Sequence, residues 1–344
     1  MSGIKVGVVG AGWAGQQHLK GYDALDDVEI AGLAGMETEL VAQLQGEYGI
    51  PATFERWEDM LDSLELDAIS IATPTFLHAP IAIAALERGI HVLTEKPIAA
   101  DIEDARRMVE AARTSGRVLQ VVFNHRLRGD IAELGRIIDS GQLGTPYIAK
   151  AGWLRRAGIP GSSWFAQKQL SGGGPLLDLG VHVVDYVLHL LGEPEVATVS
   201  ASTYAELGAK AVEGFDVEDI AIAFVRLTNG ATVTLEASWD AYRADNNLYW
   251  MTVYGTDGGA ELRVTDYETS EFTVFRNEDG ANADYTATPG ENGGHDRVVR
   301  EFVEAIAAGA SEWAKHDGSL GLKRAEVIDA CYRSAESGHE VALA

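Results

Sequence analysis

The chain has 344 residues, 46% hydrophobic and 23% charged, with a formal net charge of −25 at pH 7. That length has room for two ordinary domains, and that composition excludes a disordered chain. The acidic surplus argues against nucleic acid or an anionic membrane as a partner, and no run of about 20 apolar residues is present to span a bilayer.

The first segment, MSGIKVGVVG, enters an apolar strand at once, and nothing in it looks like a signal peptide. IKVGVVG (4–10) has the continuous apolar character of a strand buried on both faces of a parallel sheet. It runs into GAGWAG, which places Gly10, Gly12 and Gly15 at GxGxxG spacing ahead of a helical pattern and a second apolar strand, VEIAGLAG (28–35). Strand, glycines, helix and strand in that order form a dinucleotide-binding fingerprint. Its glycines serve a tight turn, close approach to a pyrophosphate, and helix-on-strand packing, with Trp13 and Ala14 inside the loop. An acid usually ends the second strand to hold the adenine ribose; here Gly35 stands there, and Glu37 follows two residues on. No base at 36–39 welcomes a 2′-phosphate, so NAD or NADP is expected as cofactor, with a lean to NAD.

The alternation continues through LDAISIAT (66–73), a helix over 78–89, IHVLTEKP (90–97), a helix over 101–115 and RVLQVVFN (117–124). Repeated βα units give a doubly wound parallel sheet that binds ligands at the carboxyl ends of its strands. Thr73, Pro74, His78, Glu95, Lys96 and Asn124 all fall at or just after those ends, and are expected at the cofactor. Lys96, closing an apolar strand ahead of Pro97, reads either as a held functional lysine or as an ordinary surface one.

Past residue 125 the pattern changes to long alternating strands over 146–154, 196–207, 219–239, 248–262 and 271–277, with a hairpin turn at Asn229-Gly230. Helices are expected at 128–140, 296–308 and 321–337. The reading is a Rossmann domain over 1–125, then an α/β domain over 126–344 with a large open, mostly antiparallel sheet, whose C-terminal helix packs back on the first domain. Cys331, the one cysteine, excludes a disulfide framework or a cysteine metal centre, and no metal site is expected; cytoplasm is the expected location. The basic residues are 8 lysines and 19 arginines, which with the acidic surplus suits a salt-adapted source or an ordinary solvated surface.

Residues 172–182, GGGPLLDLGVH, open an apolar helix to Gly192, with Pro175 in its first turn. Asp178, His182, Asp185 and His189 are spaced 4, 3 and 4 apart and form one narrow polar stripe. The stripe reads as a face toward water, as core histidines with satisfied hydrogen bonds, or as an acid and base around a substrate hydroxyl. Side-chain-free backbone at the glycines would let a ring or sugar lie close to the helix start.

With RGIHVLTEKP and SGGGPLLDLGVHVVD in view, beside VGVVGAGWAGQQH, ATPTFLH, VYGTDGGAEL and AEVIDACYRSAESGHEV, the chain resembles the glucose–fructose oxidoreductase/inositol dehydrogenase (Gfo/Idh/MocA) family over essentially its whole length. The resemblance implies hydride transfer between NAD(P) and a sugar, inositol or related polyol, in a homodimer or homotetramer built on the open sheet. It implies Lys96, Asp178 and His182 as catalytic residues: His182 the base, Lys96 stabilising negative charge on the same oxygen, Asp178 orienting substrate and lysine. Arg126, Arg156 and Trp164, with Lys96, Asp178 and His182, are the expected substrate contacts; His125, Arg155 and Lys168 are further candidates. Two other uses of such a site exist in the family: a glycosidase that oxidises its substrate transiently, and a non-catalytic NAD(P)-binding regulator.

Overall fold

Ile4–Val9 forms β1, Val28–Ala34 β2, Ala52–Phe54 β3, Ala68–Ile71 β4, His91–Thr94 β5 and Leu119–Val121 β6. They pair in parallel, in the order β3-β2-β1-β4-β5-β6. Strands buried on both faces explain the unbroken apolar runs: Val6, Val8, Ile69, Ile71, Val92 and Leu93 are all fully buried, each contributing about 1.5–3 kcal/mol of transfer free energy. The order reverses between β1 and β4. A sheet of this kind therefore opens its ligand crevice where the segments after those two strands begin, at Gly10 and Ala72.

The computed structural model describes residues 3–160 and 164–343. They divide into two units, 1–124 with 293–325, and 125–292 with 326–344. The reading from sequence ran the second domain without a break from 126 and returned only a C-terminal helix. In the structure the helix His295–Ala307 and the first part of Ser319–Ser337 belong to the first unit. Hydrophobic periodicity reports that a helix is amphipathic, not which sheet its apolar face covers.

In the second unit the strands are β7 (Pro146–Arg155), β8 (Val196–Tyr204), β9 (Ile220–Leu227), β10 (Thr232–Ser238), β11 (Asn247–Gly255), β12 (Gly258–Thr265) and β13 (Glu268–Glu278), with short β14 (Ala281–Asn282), β15 (Tyr285–Thr286) and β16 (Val341–Ala342). They form a ten-stranded sheet, antiparallel except where β10 meets β7. Asn229-Gly230 makes the β9–β10 turn, with Gly230 at φ +89° and the Asn229 carboxamide accepting from Ala231 N–H. Burial alternates strictly along β9, so Val225, Ala223 and Ala221 face the core while Phe224 and Ile222 face out. The helices Gly129–Asp139 and Val181–Leu190 and the end of Ser319–Ser337 cover the core face through Leu134, Val184, Ile328 and Cys331. Burial pushes the Cys331 thiol up to about 12, so it is an inert core group.

Candidate functional site

The three fingerprint glycines are required for three different reasons. Gly10 has φ +101°, and a Cβ there would fall 2.2 Å from the Ala72 carbonyl oxygen. A Cβ on Gly15 would fall 1.9 Å from the Gly10 oxygen. Gly12 has ordinary dihedrals (φ −62°, ψ −174°) and nothing within 4 Å of where its Cβ would stand. The fold itself would accept a side chain at 12, so the glycine keeps space for something outside the polypeptide. Gly12 also caps the helix Trp13–Asp23 without a side-chain hydrogen bond, leaving first-turn N–H groups to an anion. This cradle fits a dinucleotide pyrophosphate. Trp13, the first residue of that helix, is 68% exposed.

At the end of β2, Gly35 N–H donates to the Phe54 carbonyl. A Cβ on Gly35 would lie 3.4 Å from Glu37 Oε2. Val41 and Ala11 lie nearer still, at 3.0 and 3.3 Å, so the Glu37 carboxylate stands at the edge of the space beside Gly35. After β4, Thr73 and Pro74 are half-buried, and His78 at the head of the next helix is buried with its Nδ1 2.9 Å from the Pro97 oxygen and its Nε2 3.0 Å from the Thr73 oxygen. Both partners are acceptors, and a neutral imidazole donates to only one of them. Burial pushes the His78 pKa down, against the pull of those two carbonyls.

After β5 comes Glu95-Lys96-Pro97. Glu95 is buried; its Oε1 accepts from His18 Nε2 and His295 Nε2, each at 3.1 Å, and its Oε2 accepts from the Lys96 N–H at 3.2 Å. Burial opposes the charge on Glu95, but the two histidines outweigh it and hold the carboxyl well below the usual carboxylate range. Lys96 is half-buried. Asn124, also half-buried, begins a single 3₁₀ turn after β6.

In the second unit the helix containing Asp178 and His182 is not regular. Leu176–Gly180 is a π-helical turn, and α-helix resumes at Val181. This breaks the single polar stripe expected from spacing. Asp178 accepts from the Trp239 indole N–H at 2.9 Å. His182 packs its ring on His125 (centroids 4.3 Å apart) and faces Trp153 at 5.6 Å. Asp185, 1% exposed, takes both Nε and Nη2 of Arg126. The His189 side chain is 46% exposed, with Nδ1 3.9 Å from Glu193. A π turn adds a residue to the helical repeat and re-aims the side chains around it.

The glycines of GGGP answer to neighbours within the protein. Gly172 is left-handed at φ +87°. A Cβ on Gly173 would meet the Tyr332 hydroxyl at 2.0 Å, and one on Gly174 the Glu218 carbonyl oxygen at 2.0 Å. Glu218 is buried and accepts from Gly174 N–H, Leu176 N–H and the Tyr332 hydroxyl, so it caps the helix start. Burial pushes its pKa up despite those donors.

Of the other expected contacts, Arg126 is committed to Asp185, Arg156 and Lys168 are exposed, and Arg155 lies over the Trp153 ring at 5.5 Å. Trp164 stacks on Phe165 at 3.8 Å. Gly161, Ser162 and Ser163, in the same stretch, lie outside the described residues. His18, His295, Trp239, Glu218 and Tyr332 were not singled out from sequence. Only His18 carried a signal, a histidine three residues past the last fingerprint glycine.

Residues 4–123 match the family model of the GFO_IDH_MocA oxidoreductases, NAD-binding Rossmann fold, and residues 131–261 match the GFO/IDH/MocA C-terminal domain. The chain is 29% identical over 356 residues to D-glucoside 3-dehydrogenase of Escherichia coli (strain K12), covering 99% of this chain and 98% of that protein. It is 30% identical over 295 residues to levoglucosan dehydrogenase of Pseudarthrobacter phenanthrenivorans, covering 78% and 75%. A solved structure of levoglucosan dehydrogenase in complex with NADH and L-sorbose superimposes with a TM-score of 0.85 at 25% identity, over 100% of both chains. The fingerprint, the Glu95-Lys96-Pro97 turn and these likenesses, taken over both units, place the chain in the Gfo/Idh/MocA oxidoreductase family.

Proposed function

We propose that this chain is a dehydrogenase that oxidises one hydroxyl of a glycoside or related sugar with NAD, and that Lys96, Asp178 and His182 carry the chemistry. When bound, the nicotinamide supplies the hydride acceptor. His182 takes the hydroxyl proton as the C–H bond breaks, the Lys96 ammonium donates to the oxygen on which charge grows, and Asp178 fixes the substrate's orientation. The observation that carries the cofactor half is Gly12, a glycine that neither conformation nor packing demands. The sugar half is supported by relatives named as glucoside and levoglucosan dehydrogenases and by the neighbour solved with NADH and L-sorbose. Glu37 supports NAD over NADP, since its carboxylate suits ribose hydroxyls and repels a 2′-phosphate. His182→Ala and Lys96→Ala should each lose turnover while binding NAD normally; turnover near the parent rate in either would refute its assigned role.

The outward face of the large sheet supports self-association. Ile222 (48% exposed), Phe224 (39%), Tyr254 (38%) and Phe275 (36%) stand on one face of β9, β11 and β13, with Lys150 and Glu236 of the intervening strands between them. We infer a homodimer or homotetramer through this face, and Phe224→Lys should dissociate it in light scattering. No helix of the described residues is long and apolar enough to cross a membrane, and a buried lone thiol suits the cytoplasm.

A further inference from the structure

The peptide on either side of Lys96 is held by buried histidines. On one side Glu95 Oε1 takes an imidazole from each of two helices, His18 from Trp13–Asp23 and His295 from His295–Ala307. The ligating atoms of the three residues lie within 4.8 Å of one another, and all three are buried. His18 is itself fixed, its Nδ1 lying 2.6 Å from the Ser70 hydroxyl on β4. Glu95 Oε2 then holds the Lys96 N–H. On the other side the Pro97 carbonyl is paired with His78.

Burying an acid is costly unless donors meet it, and apolar residues of the same size would fill this space at less cost. What the polar cluster adds is definition. Lysine is a flexible four-carbon stem ending in a point charge, and its value at a developing anion depends on where the stem is rooted. We propose that His18 and His295 are positioning residues for the reaction: by fixing Glu95 they fix the backbone from which Lys96 projects. This rests on the assignment of Lys96 as the group that stabilises charge. His295 also meets the edge of the Trp13 ring at 5.2 Å, so the same imidazole touches the start of the fingerprint helix. Cofactor affinity must therefore be read separately from turnover.

The test compares His295→Ala, His295→Gln and Lys96→Ala in the full chain. NAD affinity comes from fluorescence titration, melting temperature from calorimetry, and kcat at saturating NAD from the best substrate among methyl β-D-glucoside, 1,6-anhydroglucose and an inositol. Glutamine keeps an N–H at the reach of Nε2. His295→Ala should lower kcat at least about tenfold, since a misplacement of about 1 Å can cost about a hundredfold, and His295→Gln should recover most of it. Full turnover in His295→Ala, or equal loss in Ala and Gln, overturns the positioning role. If Lys96→Ala turns over normally, or the parent protein turns over none of the three substrates, the underlying assignment fails instead, and the proposal with it.

Discussion

The Trp239 indole donates its N–H to Asp178 Oδ2 at 2.9 Å, tying the acid of a π-helical turn to the residue that follows β10. Trp239 is fully buried, so the carboxylate is aligned by the sheet and not by its own helix alone. Trp239→Phe keeps an aromatic ring, leaves a small cavity that lowers the melting temperature, and removes one charge-assisted hydrogen bond, a loss of about 1.5 kcal/mol in alignment or roughly tenfold in rate. Turnover at saturating NAD should fall by about that factor with NAD affinity unchanged. An unchanged rate would show that Asp178 needs no external support.

Gly12 offers a cleaner separation than most fingerprint positions. Because nothing of the protein lies within 4 Å of a Cβ there, Gly12→Val should melt at the parent temperature yet bind no NAD in a fluorescence titration. Gly15→Val, with a carbonyl 1.9 Å from its Cβ, should be strongly destabilised. Retained NAD affinity in Gly12→Val would mean that the open space serves no pyrophosphate.

We propose that Glu37, whose carboxylate lies near Gly35, sets the cofactor choice. Glu37→Gln removes the negative charge at nearly constant shape. The ratio of NADP to NAD affinity should rise by about tenfold, the scale of one charge–charge repulsion at a partly exposed surface. A ratio that does not move would place the discrimination elsewhere.

His91 on β5 gives a pH signature of the fold. Its Nδ1 accepts from the Val118 N–H at 3.0 Å, and burial, helped by the Arg117 charge, lowers its pKa from 6.5 to about 4. The folded state resists a proton that the unfolded chain accepts, so stability is level above pH 6.5 and is lost as pH falls from there toward 4. The loss is at most about 3 kcal/mol. Urea midpoints should therefore drop on acidification, and His91→Asn, which keeps an acceptor for Val118 but does not titrate, should drop less. Equal slopes would remove His91 from the acid response.

How much of this was legible in the sequence varies by residue. The parallel sheet was legible because strands such as Ala68–Ile71 are buried on both faces and so read as unbroken apolar runs. The antiparallel strands were legible because β9 alternates residue by residue. The environment of Asp178 and His182 was not. Spacing assumes 3.6 residues per turn, and a π turn violates that without altering composition. The glycines at 173 and 174 answer to Tyr332 and Glu218, partners far along the chain that no local window contains. The same holds for His295, 200 residues from the Glu95 it holds.

The proposed chemistry moves a hydride from a sugar hydroxyl to a nicotinamide. The most direct measurement follows the absorbance of reduced nicotinamide when the protein is mixed with NAD, and separately with NADP, against glycosides, inositols and sugar acids, with the carbohydrate product weighed by mass spectrometry. Net reduced cofactor is expected, faster with NAD, in step with a ketone product lighter than its substrate by one pair of hydrogens. A cleaved glycoside with no net reduced cofactor would contradict it, and so would tightly bound NAD with no change in any sugar.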